Sequence, residues 1–591
     1  MIGAERAIAA GYAAFKRGDH DAARKALKGV GHAQAVHLLG LVEKAAGNVD
    51  AARGQLDKAL RLDPSNPEVH NNRGLLARQM GDWPRAEAAF REALRLKPGF
   101  RSARLSLIRT LKQLDRLDEA LREANGLLTA NAADVDALIL KAQIARTIRD
   151  LDMAVDAIGA ALRLAPQNPF AHHVAASVEL DRGQLQAAEK RLDQLVSGGF
   201  DRAEVRSLLA RAHQEQGRLD AAERHGRQAF AMAPNGENLQ FLADTYWMQG
   251  RIDAFNKLVD EALSQPATAI PGLDLMRKSG GTEAALDRLE KLAPAVQASL
   301  GGLSLRSALL LDLGRAGEAV DAARRADALT PDWRENHNLV RALLATGEAG
   351  EALALILKAR AEDPLSQFWL AYEATALRAL GDDRYHELID YDQHVRAYTL
   401  PAPDGFASLE TFNAALMETI DRLQLFSAHP LLQSLRSGSQ SARDLTTVND
   451  PVLTAYFEAL DAPIRDYMEA LGTSPDHPSA ARNTGAYRIA GCWSVRLYGG
   501  GHHINHIHPR GWISSAYYVD VPAETRSGDG HAGWIKFGEP PMQTIPASPP
   551  EKWIQPLPGR LALFPSFLWH GTEPILDASR RVTAPFDVVP A

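Results

Sequence analysis

Along residues 1–370 apolar positions recur with the period of amphipathic helices, and small residues divide that pattern into a repeat. Pro64, Pro98, Pro166 and Pro234 are separated by 34, 68 and 68 positions, and the two skipped registers hold Ala132 and Phe200. Twelve residues before each register stands an alanine: Ala52, Ala86, Ala120, Ala154, Ala188 and Ala222. Five residues before it come Ala59, Ala93, Ala161 and Ala229, with Leu127 and Leu195 between them. Glycine recurs seventeen before, at Gly47, Gly81, Gly183 and Gly217. The pattern blurs over 267–300 and then resumes, with Gly314, Ala319 and Pro331, and Gly347, Ala352 and Pro364, at the same offsets. Each feature has a physical use. Small residues let paired helices approach closely, glycine sits in the turn between them, and proline closes the second helix because it cannot continue one.

The stretch "NNRGLLARQMGDWPRAEAAFREALRLKP" (71–98) resembles the tetratricopeptide repeat, a helix–turn–helix unit. One such unit cannot bury its apolar face, so units stack into a solenoid. The resemblance implies a groove that binds a protein or peptide.

After residue 370 the texture changes. The segment "DDRYHELIDYDQHVRAYTLPAPDGF" (382–406) reads as a boundary. Amphipathic helices are expected at "SLETFNAALMETIDRLQLF" (408–426) and "DPVLTAYFEALDAPIRDYMEALG" (450–472). From 484 onward short aromatic and β-branched runs, broken by Gly and Pro, predict a small antiparallel barrel or sandwich. The expected organisation is a solenoid over 1–370, a linker over 371–405, a helical support over 406–483 and a β core over 484–591.

Bulk properties narrow the function. The chain has 591 residues, too many for one core. Its formal charge of −7 argues against nucleic acid as a partner. Cys492 is the sole cysteine, which rules out an intrachain disulfide and a thiolate metal cage. There is no signal-peptide pattern at the start and no run of about 18 apolar residues, so a cytoplasmic protein without a membrane span is expected.

Candidate chemistry sits in "HHINHIHPRGWISSAYYVDVP" (502–522). Residues two apart in a strand share a face, so His506 and His508 can offer two imidazoles to one metal, and Pro509 holds His508 extended. The other reading of an isolated H-x-H is a pair of ordinary polar residues. His502 and His503 are expected as loop residues, and His531 as a solvated turn residue. His570, at the end of a buried run in "FPSFLWHG", is the candidate third ligand. Imidazoles suit Fe, Zn, Cu or Ni, and three protein ligands with open positions describe a catalytic site.

The motifs "LYGGGHHINHIHP", "SSAYYVDVP", "GWIKFG", "PLPGRLALFPSFLWHGTEP" and "RRVTAPFD" keep the order found in the Fe(II)/2-oxoglutarate-dependent oxygenases. Residues 385–590 resemble a bacterial and phage H-x-H-P branch of them, more distantly the prolyl hydroxylases. The resemblance implies a double-stranded β-helix (jelly-roll, cupin-like) with flanking helices, one of them at "HPLLQSLRSGSQ" (429–440). It places metal ligands on His506 and His570. The family usually has Asp or Glu where this chain has His508. Either His508 completes a three-histidine face or that position does not ligate. The co-substrate carboxylate calls for an arginine, and Arg581-Val582-Thr583 fits the family's Arg-x-Ser/Thr pattern, with Arg580 as its neighbour. Arg496 and Tyr498, sharing a strand face, are candidates to line the same pocket, and of Tyr517 and Tyr518 one is expected in the core and one in the pocket.

These readings imply an Fe(II)- and 2-oxoglutarate-dependent dioxygenase that hydroxylates a protein or peptide recruited by the solenoid. Two alternatives stay open: a non-catalytic scaffold with a degenerate barrel, and a three-histidine metal enzyme that does not use 2-oxoglutarate.

Overall fold

The computed structural model describes residues 2–329, 337–426, 428–527, 530–576 and 580–591. Pro331, one of the repeat positions, lies outside them. The chain forms two compact units, Met1–Phe200 and Asp201–Ala591.

The first unit is built of helical hairpins. Examples are Ala33–Ala45 with Val49–Leu62, Pro67–Gln79 with Trp83–Leu96, Arg101–Gln113 with Leu117–Ala130, and Val135–Thr147 with Leu151–Leu164. The repeat positions do what their chemistry requires. Ala52, Ala86, Ala120, Ala154 and Ala188 are all fully buried where two helices meet. A larger side chain there would force neighbours off their rotamers at a cost of about 1–3 kcal/mol. Gly47, Gly81 and Gly183 turn the chain with φ of +81°, +76° and +70°. In the two hairpins that lack this glycine, Asp115 and Arg149 take the same left-handed turn, at φ +57° and +63°. The hairpin geometry is therefore set by packing of the alanine faces, strongly enough to hold non-glycine residues in a conformation they resist.

The second unit continues with hairpins from Ala203–Glu215 to Gln367–Leu380, interrupted over 269–297 by three short helices where the sequence pattern blurs. Among the described residues its C-terminal part contains eleven strands: β1 (Arg396–Thr399), β2 (Leu435–Gln440), β3 (Tyr487–Cys492), β4 (Val495–His503), β5 (Ile513–Asp520), β6 (Ile535–Phe537), β7 (Lys552–Ile554), β8 (Arg560–Pro565), β9 (His570–Thr572), β10 (Arg581–Thr583) and β11 (Phe586–Pro590). The large sheet runs β1-β8-β5-β10-β4-β2, with β11 joining β5 to β3. The small sheet runs β7-β6-β9, and every pairing is antiparallel.

Alternation along the strands sorts the residues into two layers. Leu561 and Leu563 of β8, Tyr517 and Val519 of β5 and Val582 of β10 pack against the helices Leu409–Leu423, Pro451–Ala459 and Asp461–Leu471. Ala562 and Phe564 point the other way, and Phe564 meets Phe537 of the small sheet edge-on at 4.9 Å. Two sheets face each other across this contact, as in a double-stranded β-helix.

Three segments depart from the sequence expectations. "HPLLQSLRSGSQ" is not a helix: its second half is β2, paired with β4, because Leu435 and Gly438 fit against Leu497. The expected linker 371–405 carries the end of the helix Gln367–Leu380 and strand β1, which pairs with β8. The helix expected over 450–472 is two helices, parted at Leu460. Among the described residues no helix is long and apolar enough to cross a membrane.

The last hairpins of this unit pack directly on the β domain. Trp569, next to His570, donates its indole N–H to Thr375 Oγ1 (2.9 Å) and Ala371 O (3.2 Å) of the helix Gln367–Leu380. Arg378 of that helix donates to the carbonyls of Gly538 (2.9 Å) and Pro549 (2.8 Å). Ile545 N–H donates to Leu344 O at 3.1 Å, and Leu431 N–H to Asp244 at 2.8 Å.

Candidate metal centre

His506 lies just beyond β4 and is joined to His570 by two backbone hydrogen bonds, of 2.9 and 3.0 Å. This bridge carries the H-x-H stretch across to β9, so residues far apart in sequence meet. A Cβ on Gly571 would lie 2.2 Å from Asn505, so this close approach requires glycine.

His506, His508 and His570 offer ligand atoms that all lie within 4.8 Å of one another. Each ring has its Nδ1 tied to an oxygen: Ile504 O at 2.9 Å for His506, Leu568 O at 2.9 Å for His570, and Asp587 Oδ2 at 2.6 Å for His508. An Nδ1–H donating to each oxygen leaves Nε2 as the lone-pair nitrogen of each neutral ring, that of His506 also lying 3.2 Å from Ser434 Oγ. The Nε2 atoms of His506 and His508 are 3.3 Å apart. Three convergent lone pairs repel one another unless a cation lies between them, and this donor set fits a divalent transition metal.

The electrostatics agree. Burial, then the neighbouring His508, pushes His506 down to about 3. Burial and His506 likewise hold His570 well below the ordinary imidazole value. Both rings are therefore neutral and ready to ligate. Burial also disfavours charge on His508, but the Asp587 charge and hydrogen bond outweigh it and raise its pKa. Asp587 is fixed by a 2.8 Å bond from Ser514 Oγ. Phe564 stands edge-on to His570 at 4.6 Å and Trp493 stacks on His508 at 5.8 Å, forming apolar walls.

Arg581 and Thr583 share the inward face of β10, buried at 3% exposure each. Arg581 donates to Gly533 O, and its guanidinium lies 5.7 Å from the Tyr518 ring. The Arg581 Nε and the Tyr518 Oη are both buried without a hydrogen-bond partner, and no carboxylate pairs with Arg581 among the described residues. A buried cation with an unused donor beside an unused hydroxyl fits a carboxylate ligand. Arg580 is on the outer side, near Asp421 and Asp520. Of the two tyrosines, Tyr518 is the one beside Arg581. Tyr517 faces the helices and donates to Asn413 at 2.6 Å.

Two expected pocket residues are elsewhere. Arg496 pairs in register with Val582, on the face opposite Arg581, and is ion-paired to Asp421. Tyr498 shares that outer face and is 39% exposed. The inward positions of β4 are Val495 and Leu497, one residue out of phase with the expectation. His503, expected in a loop, ends β4 and is linked to the cluster through Ser434 Oγ, which lies 2.9 Å from His503 Nδ1 and 3.2 Å from His506 Nε2. Burial, then His506 and Arg581, hold His503 well below the usual value, so it feels both the histidine cluster and the arginine. Asp587 and Ser434 carry no signal in the sequence. A recognisable partner for His508 appears only once β11 pairs with β5.

Family models match both the repeats and the C-terminal domain. Residues 491–587 match the family described as "Putative 2OG-Fe(II) oxygenase". Tetratricopeptide repeat families match residues 37–99, 77–144, 135–168, and 203–228 with 337–357. Over 138 residues the chain is 32% identical to protein O-mannosyl-transferase Tmtc3 of Drosophila melanogaster, covering 23% of this chain and 15% of that protein. Over 415 residues it is 23% identical to cellulose synthase 1 operon protein C of Komagataeibacter xylinus, covering 64% of this chain and 30% of that one. The chain thus spans less than a third of either relative. Similar solved structures include a tetratricopeptide repeat protein from Parabacteroides merdae, at 18% identity, 41% of this chain, 98% of that chain and a TM-score of 0.38. Another is a thermophilic TPR protein of Thermus thermophilus, at 23% identity, 28% of this chain, 92% of that chain and a TM-score of 0.27. The chain is a tetratricopeptide repeat protein fused to a C-terminal domain of that oxygenase family.

Proposed function

We propose that the C-terminal domain is an Fe(II)- and 2-oxoglutarate-dependent oxygenase that hydroxylates a polypeptide recruited by the repeats. The observation that carries this reading is the coexistence of two complementary features in one β domain: three imidazoles whose ligand atoms converge, and a buried arginine with no acid partner among the described residues. A bound iron with 2-oxoglutarate and dioxygen would supply the oxidising power for hydroxylating a C–H bond, with succinate and carbon dioxide as the products from 2-oxoglutarate.

The chain's own residues prepare that chemistry. His506, His508 and His570 are the residues that would hold the metal, each ring fixed by its Nδ1 bond. Asp587 orients His508 and sets a negative charge one imidazole behind the position where a carboxylate ligand usually stands. Arg581 and Tyr518 bind the distal carboxylate of the co-substrate, the guanidinium supplying paired donors. Phe537, Phe564 and Trp493 keep water from the reacting centre.

Arg581 favours this reading over a three-histidine enzyme without 2-oxoglutarate, which has no use for a buried carboxylate receptor. The test is calorimetric binding of 2-oxoglutarate to the metal-loaded protein. Native protein should bind, and Arg581→Lys should lose about 2 kcal/mol or more because an ammonium cannot reproduce the fork. Equal binding by both proteins would remove Arg581 from the co-substrate site.

A further inference from the structure

The first unit carries a feature that the oxygenase chemistry does not use. Lys44, Arg78, Lys112 and Arg146 are each separated by 34 positions, so one register of four successive repeats holds a cation. They sit in the last turns of Ala33–Ala45, Pro67–Gln79, Arg101–Gln113 and Val135–Thr147, the first helix of each hairpin. These first helices touch one another along the unit more closely than the second helices do, and so form its inner surface. Arg109 adds a fifth cation one turn before Lys112.

Cations near helix ends also complement the helix dipole, and exposed side chains suffice for that. These are not simply exposed. All four in the ladder are partly buried. Arg78 has a buried Nη1 with no hydrogen-bond partner. Lys112 donates only to the neutral Gln143, at 2.9 Å. Lys44, Arg78, Arg109 and Lys112 form no ion pair with an acid among the described residues, whereas Arg146 is paired with Asp181 at 2.7 Å. The cations also act on each other: burial, then Arg146 and Arg109, hold Lys112 down to about 8, and Lys44 is lowered by burial and by Arg78. A row of cations that repel one another and are partly stripped of water is a standing cost that an acidic ligand relieves.

We propose that this surface of the first unit binds an acidic polypeptide segment in extended form, with a carboxylate about every third residue. Neighbouring helix axes lie about 10 Å apart, and an extended chain advances about 3.3 Å per residue, so three residues span one repeat. The repeats of the second unit contact the β domain through Leu344, Ala371 and Arg378, and the cation ladder lies in the first unit. The proposal rests on the reading that the repeats recruit a polypeptide, and it adds the chemical class of that polypeptide.

The test is fluorescence anisotropy with the full-length protein and labelled peptides of about ten residues carrying Glu, Gln or Lys at every third position. No metal or co-substrate is present, so the outcome is independent of the oxygenase site. The Glu peptide should bind, the Gln peptide about tenfold or more weakly, and the Lys peptide not at all. Binding of the Glu peptide should fall about tenfold in Arg78→Gln/Lys112→Gln, whose helices glutamine preserves, and should weaken as salt is raised. No binding of the Glu peptide, or equal binding of the Glu and Gln peptides by native protein, would overturn the proposal. So would a single-stranded oligonucleotide that binds more tightly than the Glu peptide.

Discussion

His508 Nδ1 and Asp587 Oδ2 are 2.6 Å apart, although 79 positions separate them in the chain. Where the family usually has Asp or Glu, this chain has the His508 imidazole with the Asp587 carboxylate behind it. Replacing the acid by asparagine removes the charge but keeps the shape. Asp587→Asn should therefore weaken metal binding about 10- to 100-fold, with the fold intact by circular dichroism. His508→Asp alone should do no better, because it sets two carboxylates side by side. The double variant His508→Asp/Asp587→Asn should recover part of the loss. Competitive titration against a coloured chelator measures all three, and additive losses would show that the two residues act independently.

Trp569 links the histidine cluster to the repeats. Its ring stands edge-on to Tyr372 at 5.3 Å while its N–H bonds Thr375 and Ala371, and the next residue is His570. Trp569→Phe keeps the aromatic contact but leaves the Thr375 hydroxyl and Ala371 carbonyl without this donor. A stability loss of about 1–3 kcal/mol is expected, with weaker metal binding. Denaturant titration reads the first and chelator competition the second. A loss of stability with unchanged metal affinity would make Trp569 a packing residue only.

Acid should destabilise the second unit before its carboxylates titrate. Burial, then the His477 ring 4.5 Å away, holds His394 down to about 4. Its unfolded value is about 6.5, so the unfolded chain binds the extra proton between pH 6.5 and 4. Stability is complete above that window and falls as pH drops through it, by about 3 kcal/mol for this group alone. His394→Gln should flatten that slope in urea midpoints measured across pH 7 to 4. An unchanged slope would assign it to other buried imidazoles, such as His429, which burial also holds near 4.

Much of this architecture is written locally. Buried alanines at fixed offsets define the hairpins without long-range information, and the motif order around His506, His508 and His570 is enough to select the three histidines. What escapes is phase and partnership. Arg496 and Tyr498 are expected in the pocket because alternation fixes which residues share a face, not which face is inside. That choice is made by Val582 and the helix Leu409–Leu423 packing on the other side. Asp587 and Ser434 are ordinary residues until strand pairing brings them to His508, His503 and His506. Strands β1 and β7, of four and three residues, are too short for alternation to stand out, and β1 takes its hydrogen bonds from the longer β8.

In the proposed site three histidines hold iron while a co-substrate carboxylate is bound nearby. Anaerobic addition of Fe(II) and then 2-oxoglutarate to the full-length protein, followed by visible absorption, tests it most directly. A metal-to-ligand charge-transfer band should appear in native protein and be absent in His570→Ala. No band in native protein, together with no calorimetric binding of 2-oxoglutarate, would contradict the oxygenase account and leave the three imidazoles to a different metal chemistry.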